Sequence, residues 1–140
     1  MVETLRQAAA IPFRRHDGVV TFCLITTAGG DKWRVPKGVI EQGDTPIDTA
    51  LKEAHEEAGL RGSVVGDKIW SYVHTKWGST FTVDVYLMEV SQEDDDWAEK
   101  GLRERRWCDG PTTLRLVGRR PVGKVLREAI WTLVHGAGVS

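Results

Sequence analysis

The sequence predicts a fold that layers helices on a β-sheet, and periodicity alone leaves α/β and α+β level. Three observations predict it. Two strand-like runs precede residue 40, a helix with marked ends occupies the centre, and more strands and a closing helix follow. Strands on both sides of a central helix, with a second helix at the end, make a sheet covered on both faces.

Gln7 to Arg14 and Gly18 to Thr27 read as strands, the second rich in β-branched and apolar residues, with the charged turn His16-Asp17 between them. Gly29-Gly30-Asp31 marks a turn, and Trp33 to Pro36 a short extended piece, because the residue before a proline is pushed out of the α region. The central helix begins at Thr45 as N-cap, with Pro46 at the first helical position and Asp48 three residues after the cap, and it stops at Gly59. Ile47, Ala50, Leu51, Ala54 and Ala58 make its apolar stripe. Ser63 to His74 and Thr80 to Val90 read as strands joined by a loop containing Lys76-Trp77-Gly78, and Phe81, Val83, Val85 and Leu87 alternate along the second. Gln92 to Lys100 reads as a solvated acidic connection. Its Asp94-Asp95-Asp96 run lacks the spaced ligands and glycine of a calcium loop. Arg103 to Asp109 is expected to be a short strand, and Gly123 to His135 a helix with Val125, Leu126, Ile130, Leu133 and Val134 largely inward.

At 140 residues the chain is expected to be one domain, 1–140, with a core that needs no staples. Hydrophobic content of 41% and charged content of 28% are ordinary for a globular protein. Nineteen basic against twenty acidic residues leave a net charge of −1, so anion recognition must be local, and nucleic acid is not an expected partner. Arg103, Arg105, Arg106, Arg115, Arg119 and Arg120 suggest a basic patch, but no nucleic-acid motif accompanies them. Cys23 and Cys108 have no metal spacing and suit a reducing compartment, with Cys23 read as a small core residue. No signal peptide or membrane-spanning run is read, and a cytoplasmic location is the expectation. The oligomeric state is left open.

The helix carries the chemistry. Each residue advances the helix by about 100°, so Glu53, Glu56 and Glu57 share one face. Like charges at these spacings repel by roughly 0.2–0.5 kcal/mol per pair, and the last turn is already negative through the macrodipole. A hard divalent cation such as Mg²⁺, which prefers oxygen ligands, turns that repulsion into binding. A histidine site finds no support, since His16, His55, His74 and His135 are scattered.

From Gly38 the spacing runs five residues to Asp44, then seven to Lys52-Glu53, then Ala54, His55, Glu56-Glu57, Ala58, Gly59 and Leu60. It closely resembles the loop–helix–loop signature of the Nudix hydrolases. Asp44 stands where the family has Glu and Lys52 where it has Arg, so metal binding should persist with looser bracing of loop against helix. The resemblance implies an α/β/α sandwich with a mixed sheet. It also implies a hydrolase that cleaves a pyrophosphate bond in a nucleoside diphosphate-linked compound, with Mg²⁺ as cofactor and Mn²⁺ as a substitute.

By position the resemblance carries over Glu53, Glu56 and Glu57 as metal ligands, with the Gly38 carbonyl as another. Glu53 is the first choice for the base, with Glu57 also in the catalytic set. Glu104 is a further acid from outside the helix, or equally a surface charge. The run Trp33-x-x-Pro36-Lys37-Gly38 is similar to the branch acting on dinucleoside polyphosphates and diphosphoinositol polyphosphates. Such substrates need a basic rim, for which Arg14, Arg15, Arg34, Lys37, His74 and Lys76 are the candidates. Of the six tryptophans, Trp77 is the one expected to stack on a base, and the rest are read mostly as packing. ADP-ribose or a nucleoside triphosphate remains an alternative substrate, and a low-turnover polyphosphate-binding regulator an alternative role.

Overall fold

A computed structural model describes residues 4–66 and 70–135. The strands are β1 (Thr4–His16), β2 (Val19–Thr26), β3 (Trp33–Arg34), β4 (Lys37–Val39), β5 (Leu60–Val64), β6 (Trp70–Lys76), β7 (Ser79–Glu93) and β8 (Arg105–Cys108). The helices are α1 (Pro46–Ala58), α2 (Gly110–Val117) and α3 (Gly123–His135). The sheet is mixed: β1 runs parallel to β7 from Thr4↔Thr80 to Phe13↔Glu89, and the remaining pairings are antiparallel. The other edge of β1 is shared by β4, through Gln7 to Ala9, and by β2, through Phe13 to His16.

From Ala8 to Phe13 both faces of β1 are buried, which is why that stretch is continuously apolar rather than alternating. Its side chains still alternate in destination. Ala8 and Ala10 pack with Ala50, Ala54 and Ala58 of α1, whereas Ala9, Ile11 and Phe13 join Val125, Leu126, Ala129 and Leu133 of α3 on the opposite side. Small residues on both partners let α1 lie close to the sheet, so its backbone and its glutamates are fixed against β4. Burying a Leu- or Phe-sized side chain in such a core contributes about 1.5–3 kcal/mol. Phe81, Val83, Val85 and Leu87 belong to the α3-side core, as their alternation predicts.

The predicted ends of α1 hold. Thr45 accepts a hydrogen bond from the Asp48 amide at 3.1 Å, and Gly59 closes the helix at φ 68°, where a side chain would be strained. Several expectations need correction. Ile47 is 41% exposed and Val134 58% exposed, because each falls at the margin of its helix's apolar stripe. The expected strand Ser63 to His74 is interrupted: β5 and β6 lie along the same edge of β7, one at each end. The turn between β6 and β7 is Trp77-Gly78, both at positive φ, which matches the right-handed twist of a tight hairpin. α2 was not expected; Asp109 caps it by accepting from the Thr112 amide at 2.8 Å.

The connection after β7 is exposed at Asp95 and Asp96, as a solvated acidic segment should be, but it is tied down at Asp94 and Trp97. Asp94 accepts from Arg61 at 3.1 Å and from Gln92 at 2.7 Å, and Trp97 donates to the Glu57 carbonyl at 3.0 Å. Two of the arginines read as a possible patch, Arg105 and Arg106, are engaged in structure. Arg105 pairs with Glu93 and donates to the carbonyls of Ala58 and Asp94, and Arg106 lies over Trp33. Cys23 and Cys108 are free and buried, and burial pushes the Cys23 thiol up to about 12, as suits an inert core residue. Among the described residues no helix is long and apolar enough to cross a membrane.

Candidate active site

Two features adjoin. One is the glutamate end of α1, the other a basic cavity beside it, and Arg34 joins them.

Glu57 is 4% exposed. Its Oε2 accepts from Arg34 at 2.7 Å and from Arg103 at 3.2 Å, and its Oε1 accepts from the Lys37 amide at 3.0 Å. Removing one partner of such a buried pair would leave charge uncompensated, typically at a cost of about 3–5 kcal/mol. These bonds brace the loop to the helix. The expected bracing by Asp44 and Lys52 is absent among the described ion pairs: both residues are exposed, and the Asp44 amide turns back to the Glu41 carbonyl.

Glu53 lies against the backbone of Gly38 so closely that a Cβ there would overlap its Cγ and Cδ. Burial, and then the charges of Glu57 and Glu56, push the Glu53 carboxyl up to about 7. The sequence reading missed Glu99. Its amide donates to the Glu56 carbonyl at 3.1 Å, its carboxylate accepts from Arg103 at 2.7 Å, and its charge also acts on Glu53. No motif marks it, because it lies in an acidic stretch more than forty residues from the helix. Glu104 is exposed. Its backbone is tied to Thr26 in both directions, and its carboxylate makes no contact among the described residues.

The donor set suits a hard cation. Glu53, Glu56, Glu57 and Glu99 supply carboxylate oxygens, and the glycine at 38 leaves room for Glu53 to meet the loop. Among the described residues no three acidic, histidine or cysteine side chains have closed around one point, since Glu57 is turned to its two guanidinium groups. A divalent cation fits by chemistry, taking over countercharge that the arginines now supply in part.

The basic cavity, about 240 Å³, is lined by Lys32, Arg34, Lys37, His74, Lys76 and Arg120. Val35, Tyr72, Pro121 and Val122 complete its walls. Burial, followed by the charges of Arg34, Arg120 and Lys76, lowers Lys37 to about 8. His74 is lowered by burial and then by Lys37, Lys76 and Arg120. Its ring stacks on Phe81 at 4.9 Å and its Nε2 is 3.5 Å from Gln7. The structure thus brings together Arg34, Lys37, His74 and Lys76. Trp77 lies outside the cavity, 89% exposed, with the Lys76 ammonium 4.4 Å from its ring centre.

Arg14 and Arg15 do not join this rim, and the register of the sheet explains the correction. His74 is opposite Phe81, which pairs with Leu5, whereas Arg14 is nine residues further along β1. At about 3.3 Å per residue that is roughly 30 Å away. Arg14 instead stacks on Trp107 at 3.8 Å and pairs with Glu93.

Comparisons with known proteins agree with this geometry. The NUDIX domain description matches residues 4–124. Nudix hydrolase 4 of Arabidopsis thaliana is 31% identical over 64% of this chain and 44% of its own length. The chain thus spans about half the length of the first curated relatives it matches. The asymmetrical bis(5'-nucleosyl)-tetraphosphatase of Sus scrofa is 30% identical over 89% of this chain and 92% of its own. In fold, the C. elegans Ap4A hydrolase superposes with a TM-score of 0.77 at 21% identity, covering 95% of this chain and 99% of that one. The glutamate helix, its glycine-bearing loop and the mixed sheet that carries them are those of a family, and this chain belongs to the NUDIX domain family.

Proposed function

We propose that the protein is a Mg²⁺-dependent pyrophosphohydrolase, with Mn²⁺ as a substitute, acting on a substrate that carries several phosphates. Dinucleoside polyphosphates and diphosphoinositol polyphosphates are the favoured classes. The single observation that carries the reading is the joint at Arg34, which pairs with Glu57 at 2.7 Å and also lines the basic cavity. A phosphate chain lying in that cavity presents one of its anhydride bonds to the glutamates. The likeness to the Sus scrofa tetraphosphatase, which covers most of both chains, supports the dinucleoside choice.

When bound, the divalent cation supplies electrophilic stabilisation of phosphoryl oxygens and lowers the pKa of a water molecule. The residues of the chain do the rest. Glu53, Glu56 and Glu57, with the Gly38 carbonyl, hold the cation, and Glu99 is a fourth acid within reach. Glu53 is the proposed base, with Glu57 and Glu104 as the other acids to test. Arg34, Lys37, His74 and Lys76 hold and orient the phosphates, and Trp77 offers a face for a base. We take residues 1–140 to act as one domain, in the cytoplasm, on a small molecule rather than a nucleic acid.

The test is a panel of diadenosine polyphosphates, diphosphoinositol phosphates, ADP-ribose and nucleoside triphosphates, assayed with Mg²⁺ and Mn²⁺ and resolved by chromatography. The expected outcome is preference for the most highly phosphorylated compounds, lost in Glu53→Gln and in Glu57→Gln while both variants remain folded by circular dichroism. Preference for ADP-ribose or a nucleoside triphosphate would overturn the substrate assignment. A second reading, a polyphosphate-binding regulator of low turnover, is favoured by one observation: Glu57 is engaged by two arginines and an amide. Tight binding of the panel without product would select it.

A further inference from the structure

Four cations of the basic cavity, Lys32, Lys37, Lys76 and Arg120, have no carboxylate within ion-pair distance among the described residues, whereas Arg34 has Glu57. Like charges gathered in so small a space repel, and a net charge of −1 for the whole chain makes their concentration a local feature. Arg120 differs from the others in origin. It comes from the turn between α2 and α3, in the layer on the face of the sheet opposite α1, whereas the other cations come from β3, β4, β6 and the segment before β3.

That turn is closely built. The Arg120 amide donates to the Val117 carbonyl at 3.1 Å, and the Gly123 amide donates back to the Arg120 carbonyl at 2.8 Å. A Cβ on Gly123 would strike the Gly118 carbonyl, so the chain can close here only with glycine at 123. Pro121 and Val122 then form part of the cavity wall beside the guanidinium, and Val122 is 5% exposed in the core. A rigid turn that ends in an unpaired guanidinium over a basic cavity is a preorganised anion contact.

We infer that Arg120 is a specificity-determining residue: with Lys32, Lys37 and Lys76 it makes a set of unpaired cations larger than a simple diphosphate can engage, so that the site favours chains of three or more phosphates. The inference rests on the polyphosphate reading above and deepens it. A diphosphate can engage only part of the set Lys32, Arg34, Lys37, Lys76 and Arg120, whereas a longer chain can engage all of it.

The experiment compares wild type, Arg120→Ala and Arg120→Lys in two arms. In the first, kinetics are measured on diadenosine tri-, tetra- and pentaphosphate and on ADP-ribose. The expected result for Arg120→Ala is a fall in kcat/KM of about tenfold on the tri-, tetra- and pentaphosphates, carried by KM, a much smaller fall on ADP-ribose, and partial recovery in Arg120→Lys. Equal losses on every substrate, or a loss carried by kcat with a lowered Tm, would mean a structural role and overturn the inference. In the second arm, binding of inorganic tripolyphosphate is measured by calorimetry without divalent cations. Weaker binding by Arg120→Ala than by wild type supports the inference, and unchanged binding, or none by wild type, overturns it. If wild type hydrolyses nothing in the panel, the enzyme reading fails while the tripolyphosphate arm still decides for or against Arg120.

Discussion

Gly38 shows how one missing side chain sets the geometry of the site. Its Cα faces the Glu53 carboxyl, and a methyl group placed there would overlap Cγ, Cδ and Oε2. Those atoms are the free end of a flexible side chain, so Gly38→Ala is expected to swing Glu53 aside rather than unfold the protein. Misplacing a catalytic group by about 1 Å can cost on the order of a hundredfold in rate. The expected outcome is therefore a loss of that order in kcat/KM, with Tm close to wild type and divalent-cation binding weakened in a calorimetric titration. A variant that keeps full activity would remove Glu53 from the site. The same residue shows what was legible in sequence: the family signature placed Gly38 and Glu53 in one site, but the partners of Glu57 did not appear in it. Arg34 and Arg103 are 23 and 46 residues from Glu57, and only the closing of β2, β3 and the segment before β8 around α1 brings them there.

At the level of elements, the glutamate end of α1 is held by the segment that follows β7. Asp94 is the joint, accepting from Arg61 of β5 and lying 3.6 Å from His55 of α1, while Trp97 caps the Glu57 carbonyl. Hydrogen bonds from Gln92 and then Arg61 hold the Asp94 carboxyl below its ordinary value. A carboxylate whose folded pKa is depressed adds stability above its unfolded pKa and loses it as pH falls through the folded value. The Asp94 contribution to Tm is therefore expected to fade below about pH 4, and Asp94→Asn to start slightly lower at neutral pH and fall less than wild type on acidification. Parallel curves for the two proteins would show that the joint does not titrate. Here local pattern gave part of the reading: Asp95 and Asp96 are exposed, whereas Asp94 is bonded to Arg61 and Arg105, which only the fold brings to it. α1 and α3 were legible because their caps and apolar stripes are local. α2 was not, being eight residues long with an apolar stripe too short to register.

Across the whole molecule, opposite charges are separated into two neighbouring regions although the total nearly cancels. The layered fold was legible because the long apolar runs require burial on both faces of the sheet, while the cavity was legible only in part: Arg34, Lys37, His74 and Lys76 were candidates for it, but Lys32 from the segment before β3 and Arg120 from the α2–α3 turn were not. Parallel pairing of β1 with β7 decides which basic residues meet, including Lys76 and excluding Arg14. This arrangement has a consequence for ionic strength. With a net charge of −1 there is little long-range field to steer a polyanion, so attraction comes from the cavity itself and acts over about a Debye length, near 10 Å at 0.1 M salt. Raising salt from 0.05 to 0.5 M is then expected to lower kcat/KM for diadenosine pentaphosphate severalfold while changing ADP-ribose turnover much less, because screening scales with the charge the ligand brings. The salt dependence should be shallower in Arg120→Ala, which removes one of the cations being screened. Identical slopes for a five-phosphate and a two-phosphate substrate would mean that the cavity does not hold the phosphate chain, and that its unpaired cations serve something other than catalysis.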